Sequence, residues 1–174
     1  VLLVPLLVLV LTGSACFGRD QPPDGTQSPG TGSQGSLLPA DPLALPDFTP
    51  AQFQQLLEEL RGTPVVVNVW GSWCPPCRTE APELATVSET YQGRVQFVGV
   101  DILDQREPAR AFIEEFGWAY PSVFDPEGDI RDALGYVGQP VTVLYDEAGD
   151  SVFVWSGAIS EDILVEELDR VVES

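Results

Sequence analysis

The segment that most restricts this chain is Val65-Val66-Val67-Asn68-Val69-Trp70, followed after Gly71-Ser72-Trp73 by Cys74-Pro75-Pro76-Cys77. A β-branched, nearly continuous apolar run is the pattern of a strand buried on both faces in a parallel sheet, because alternation is lost when neither face meets water. Such a strand needs neighbours and covering helices. Pro75 is tolerated in the first turn of a helix, where its missing N–H would have had no partner. The chain therefore turns from a central strand into a helix at the cysteines, a context in which a C-x-x-C pair reads as a redox site.

The elements around this junction follow from periodicity. Thr49-Pro50-Ala51-Gln52 supplies an N-cap, a proline at N1 and a glutamine at N3, and Phe53, Leu56, Leu57 and Leu60 then recur at helical spacing before Gly62. The cysteine helix is predicted to run from about Cys74 to about Tyr91, with Pro82 placed where it should kink the interior. A second apolar strand at 95–100 completes a strand, helix, strand unit. Beyond it the pattern predicts a helix over 107–116, a short strand over 122–124 and a helical turn or two over 130–134. Strands over 141–145 and 152–155 flank the turn residues Asp146 to Asp150 as an antiparallel hairpin. A last helix, capped by Ser160, carries apolar residues at Ile163, Leu164, Leu168, Val171 and Val172. The fold class is α/β, a central mixed sheet flanked by helices.

Three parts are expected along the chain. From Val1 to Leu11 the residues are apolar, and Thr12, Gly13, Ser14 and Ala15 then lead into Cys16. That run is short of the roughly 20 residues a spanning helix needs, so 1–16 reads as a signal peptide. Its end resembles a bacterial lipobox, which makes Cys16 the lipidation candidate and accounts for an odd cysteine in an exported protein. Residues 17–46 are rich in Gly, Pro, Ser, Gln and Thr and read as a disordered tether. The folded domain is then 47–174.

Charge and composition exclude several functions. With 27 acidic residues against 8 basic ones, all arginine, and a formal charge of −19, the surface repels nucleic acid and anionic lipid head groups. Membrane contact is expected only through the N-terminal lipid. With no histidine and no methionine, neither the four ligands of a structural zinc site nor a soft copper site can be assembled, so no metal is expected. A purely structural disulfide stays open in an oxidising compartment. A bridge that closes so small a loop contributes little chain entropy, which favours the redox reading. At the start of a helix, unpaired N–H groups and the helix dipole favour a thiolate at Cys74, exposed at the helix end. Cys74 is thus the nucleophile and the more shielded Cys77 the resolving thiol.

The stretch from Val65 to Pro82, including Trp73-Cys74-Pro75-Pro76-Cys77-Arg78-Thr79-Glu80, resembles the TlpA/ResA/DsbE (CcmG-like) branch of the thioredoxin superfamily. Val100-Asp101, Tyr120-Pro121, the stretch from Phe124 to Gly128 and that from Pro140 to Asp146 resemble further landmarks of the branch in order. The resemblance implies a thioredoxin-like fold and thiol-disulfide exchange without a prosthetic cofactor. Asn68 stands where ordinary thioredoxins carry a buried aspartate. The resemblance implies instead a carboxylate at Glu80 that tunes thiol acidity, against the alternative of a surface glutamate making ordinary helix contacts. It further implies a cis-proline at Pro140, with Trp73, Pro75, Pro76, Gln139 and Pro140 lining a substrate groove. Implied partners are exported cysteine-containing proteins such as apocytochrome c, and a membrane redox partner of DsbD/CcdA or VKOR/DsbB type. The expected activity is extracytoplasmic reduction of such disulfides. Rival readings are an oxidising Dsb-like catalyst and a non-catalytic lipoprotein binding module whose disulfide stays closed.

Overall fold

The computed structural model of the protein describes residues 36–173. The expected signal peptide, the lipidation candidate Cys16 and residues 17–35 of the expected tether lie outside the described residues.

The strands are β1 (Val65–Trp70), β2 (Gln96–Ile102), β3 (Ser122–Asp125), β4 (Val141–Tyr145) and β5 (Ser151–Ser156). Interleaved with them are the helices α1 (Pro50–Glu59), α2 (Pro75–Thr90), α3 (Arg106–Phe116), α4 (Asp129–Ala133) and α5 (Glu161–Val172). All five strands form one sheet ordered β3-β2-β1-β4-β5. β1 pairs with β2, and β2 with β3, in parallel; β1 with β4, and β4 with β5, run antiparallel. The sheet is mixed, with the continuous apolar run at its centre. Every residue of β1 is buried.

Because side chains alternate along a strand, this run feeds two cores. Val66 and Trp70 pack with Phe97, Leu144 and the buried residues of α2, α3 and α5 on one face. Val65, Val67 and Val69 pack with Val98, Val100, Val143, Phe53 of α1 and Ile130 of α4 on the other. Asn68 points with Val66 and Trp70, and its register partners are Thr142 and Gly99, which in turn lies opposite Ser122. A polar row therefore crosses the sheet beneath α2.

Local signals act as read at α1, where Thr49 and Gln52 form a reciprocal capping box. Two others act differently. α2 runs through Pro82, whose ring lies on the exposed face. Ser160 is the N-cap of α5 but makes no side-chain cap bond; Glu83 Oε2 accepts the Glu161 N–H instead (3.1 Å) and ties α5 to α2.

The folded body begins before residue 47, which corrects the tether boundary. Leu45 is buried in the core beneath α2 and α3, and Leu37, Leu38 and Leu43 pack against the two cores. The Phe124 N–H donates to the Pro46 carbonyl (2.8 Å), Arg106 to that of Leu45 (2.8 Å) and Arg110 to that of Leu43 (2.8 Å). Composition suggested a tether because these few large apolar side chains lie among prolines and small residues. Their burial, with carbonyls satisfied by arginines, outweighs the entropy of ordering so short a segment.

Gly99 is where the polar row tolerates no side chain. A Cβ there would lie 2.1 Å from Ser122 Oγ and 2.7 Å from the Trp70 indole nitrogen. Gly99→Ala should therefore overpack the sheet and cost about 1–3 kcal/mol. The urea midpoint should fall with the slope of the transition unchanged; a wild-type midpoint would show that the row yields freely.

Candidate active site

Cys74 occupies the N-cap of α2 in extended backbone geometry, and its Sγ accepts the Cys77 N–H at 3.3 Å. Cys74 and Cys77 are joined in a disulfide with their Cα atoms 5.3 Å apart. The loop that delivers them from β1 is held at both sides. The Cys74 N–H donates to the Gly71 carbonyl (3.1 Å), and the Ser72 N–H donates to Asp104 Oδ2 (2.6 Å). Both sulfurs sit at the helix end where free N–H groups and the dipole favour negative charge.

The exposure expected of Cys74 is not found in this oxidised state. Cys74 and Cys77 are both buried, while the flanking Trp73, Pro75 and Pro76 are exposed. An N-cap side chain folds back over the first turn, and here the disulfide draws it inward. Arg78 follows Cys77 directly in the chain. Its guanidinium pairs with Glu115 and stacks over the Phe116 and Phe112 rings, 5.1 and 5.5 Å from their centroids. Its charge is already engaged.

Glu80 lies three residues past Cys77 on the same helical face, and it is no surface residue: its exposure is 1%. Oε1 accepts from Asn68 Nδ2 (2.8 Å) and Oε2 from the Ile159 N–H (3.0 Å). Asn68 Nδ2 also donates to Thr142 Oγ1 (3.1 Å). Burial raises the pKa of Glu80 to about 7, because loss of hydration outweighs the two hydrogen bonds that favour the carboxylate. A carboxyl one turn from a thiol, half-ionised near neutrality, is suited to exchanging protons with it. Tyr120 adds a buried hydroxyl kept neutral first by burial and then by the charge of Glu80.

The Gln139–Pro140 peptide is cis, with Pro140 buried and Gln139 partly exposed. Pro140 precedes β4, whose first residue, Val141, lies opposite Val69. The cis peptide thus stands beside the end of β1 from which the cysteine loop departs. The same edge of the sheet carries exposed apolar side chains: Trp73, Leu103 after β2 and Val137 ahead of the cis peptide. A cavity of about 680 Å³ lies elsewhere, between the C-terminal parts of α2 and α3 and residues 38–40. Exposed apolar side chains thus stand at the end of the sheet from which the cysteine loop departs, a feature typical of interaction surfaces.

Sequence reading singled out Asn68, Cys74, Cys77, Glu80 and Pro140, which the fold gathers at one end of the sheet. It missed Thr142, Ile159, Leu103 and Val137. Thr142 had a signal, being a polar residue inside an apolar strand. Ile159 had none, since it contributes only its backbone N–H.

The profile of the AhpC/TSA family matches residues 43–154. The thiol:disulfide interchange protein DsbE of Escherichia coli (strain K12) is 32% identical over 177 residues, covering 99% of this chain and 94% of that protein. The thiol-disulfide oxidoreductase ResA of Halalkalibacterium halodurans is 30% identical over 116 residues, 66% of each. Among solved structures, a DsbF homologue from Corynebacterium diphtheriae superimposes with a TM-score of 0.61 at 30% identity, over 66% of this chain and 75% of that one. A secreted Mycobacterium tuberculosis disulfide oxidoreductase homologous to E. coli DsbE gives 0.61 at 28% identity, over 65% and 85%.

The position of Glu80 sets a pH dependence of stability. Its folded-state value of about 7 stands above the ordinary 4.5, so the folded protein holds this proton more tightly than the unfolded chain. The contribution is full below about pH 4.5 and is lost as pH rises to 7. Comparing the oxidised protein with Glu80→Gln, the wild type should lose about 3 kcal/mol relative to the variant across that window. Denaturant midpoints measured at each pH check this, and parallel curves would place Glu80 in an ordinary solvated setting.

Proposed function

We propose, from the premise that this chain belongs to the AhpC/TSA family and is an enzyme of the DsbE/ResA type of thiol-disulfide oxidoreductase, that it reduces disulfides of exported cysteine-containing proteins through Cys74 and Cys77. The observation that carries this reading is the cysteine pair at the start of α2 with the buried Glu80 carboxyl one turn beyond it.

In the reducing direction the Cys74 thiolate attacks one sulfur of the substrate disulfide. A Cys74–substrate bond forms and the substrate S–S bond breaks; the departing sulfur leaves as a thiolate and takes up the proton that Cys74 lost. Glu80 then accepts the Cys77 proton, and the Cys77 thiolate attacks Cys74 Sγ, closing the Cys74–Cys77 disulfide. The second substrate sulfur is released and protonated from Glu80. Two electrons and two protons pass from the cysteine pair to the substrate. A membrane dithiol partner of DsbD/CcdA type resets the pair by supplying two electrons and two protons that reopen the Cys74–Cys77 disulfide; a VKOR/DsbB-type partner would reset it only in the oxidising direction. The exposed Trp73, Pro75 and Pro76, with Gln139 and Pro140, form the polypeptide groove in this reading, and apocytochrome c is the candidate substrate.

Direction follows from what stabilises the thiolate. Strong oxidants are strong because their reduced form is stabilised. Here the helix end stands alone in that role, because the Arg78 charge is taken up by Glu115 and Glu80 and Asp104 bring carboxyls to the cysteine helix and loop. The couple should lie nearer thioredoxin, about −270 mV, than DsbA, about −120 mV. Equilibrating the purified domain in glutathione buffers and counting thiols after quenching measures it. A potential above about −180 mV would reverse the assignment to oxidative folding.

The site works outside the cytoplasm, held at the membrane by a lipid on Cys16 at the end of a signal peptide spanning 1–16. Among the described residues no helix is long and apolar enough to cross a membrane. Cys16→Ser should send the protein to the soluble extracellular fraction, and unchanged fractionation with no acyl mass on the native N-terminus would remove the lipid from the scheme.

A further inference from the structure

Asp101 is a buried carboxyl that this mechanism does not use. It lies near the end of β2, opposite Trp70 on one side and Phe124 on the other, with no solvent exposure, and among the described residues none donates an N–H or O–H to either of its oxygens. The polar group it meets is another carboxyl, that of Asp104, within hydrogen-bonding reach. Two carboxylates are both acceptors, so the contact becomes a bond only when one of them carries a proton. Asp104 is the partly exposed member, and it already accepts two amides: Ser72 N–H at Oδ2 (2.6 Å) and Gln105 N–H at Oδ1 (2.7 Å). Asp101, fully buried and with no donor to either oxygen among the described residues, is therefore the member that carries the proton.

We propose that Asp101 and Asp104 form a proton-sharing carboxyl pair in which neutral Asp101 donates to ionised Asp104 and thereby positions the Ser72 amide, two residues ahead of Cys74. Asp101 and Asp104 are positioning residues: they hold the cysteine loop and set a fixed negative charge against it, and this holds whichever way electrons flow. The surrounding charges agree. Burial comes first and Asp104 next in raising Asp101 to about 9, with Asp125 of β3 acting in the same sense. Arg106 of α3 opposes them, but its guanidinium is also engaged by Asp47 and the Leu45 carbonyl. A buried carboxylic acid kept neutral at pH 7 as a donor is a known device for fixing an active-site geometry.

Ionising Asp101 places two carboxylates face to face and should release the Asp104–Ser72 contact. Carbon-13 titration of the aspartate carboxyls in the oxidised protein, where no thiol ionises, tests this. Asp101 should titrate near 9, and the Ser72 amide resonance should shift at the same pH as its bond to Asp104 is released. In Asp101→Asn, which keeps a donor, that amide shift should vanish while thiol exchange at pH 7 persists. Asp104→Asn removes the charge from the loop and should raise the fraction reduced several-fold in a fixed glutathione buffer, because a thiolate at Cys74 loses a repulsive neighbour. An Asp101 signal titrating in the ordinary carboxylate range overturns the proposal. So does a Ser72 amide shift that survives Asp101→Asn, or a glutathione equilibrium unmoved by Asp104→Asn.

Discussion

The hydrogen bond that Asn68 donates to Glu80 joins the middle of the central strand to the helix that carries both cysteines. Much of the site depends on it. Asn68 shares its amide with Thr142 of β4, and Glu80 extends the link to the Ile159 N–H in the turn before α5. One buried carboxyl thus anchors three separated parts of the chain beneath the disulfide. With an apolar residue in place of Asn68, Glu80 would lose a donor in a place that water does not reach, and the penalty for an unpaired buried charge would be large.

Two buried carboxyls lie close to one sheet edge, Glu80 under the helix and Asp101 beside the loop, and burial raises both into or above the neutral range. Such groups reduce stability at pH 7 relative to an apolar core, and that cost is typical of sites where chemistry is placed. Leu103 at the same edge has a left-handed backbone, φ 52°, and is half exposed. A non-glycine residue held there with an apolar side chain facing water runs against local preference. The rest of the sheet offsets these departures through the two well-packed faces of β1.

The acidic surface shapes what can approach. Among the described residues the arginines near the site are bound up locally: Arg78 with Glu115, Arg106 with Asp47 and Arg131 with Asp132. The exposed Trp73, Leu103 and Val137 belong to a chain of formal charge −19, and such a field attracts cationic partners and repels acidic ones, most strongly at low salt.

The sequence alone determined β1, the turn into the cysteine helix, the α1 capping box and the hairpin of β4 and β5, because each depends on periodicity or on residues a few positions apart. The polar residue inside β1 and the carboxyl after Cys77 were legible as identities; their bond was not, since it requires knowing that α2 packs over the Asn68 face of the sheet. Only tertiary structure decided that Glu80 is buried, that Arg78 is turned toward Glu115, that Leu45 belongs to the core and that Asp101 faces Asp104. All but the last of these are contacts between segments distant in the chain, and the last depends on how the chain bends after β2. Burial and charge depend on everything packed around a side chain, and a linear pattern records only its nearest neighbours.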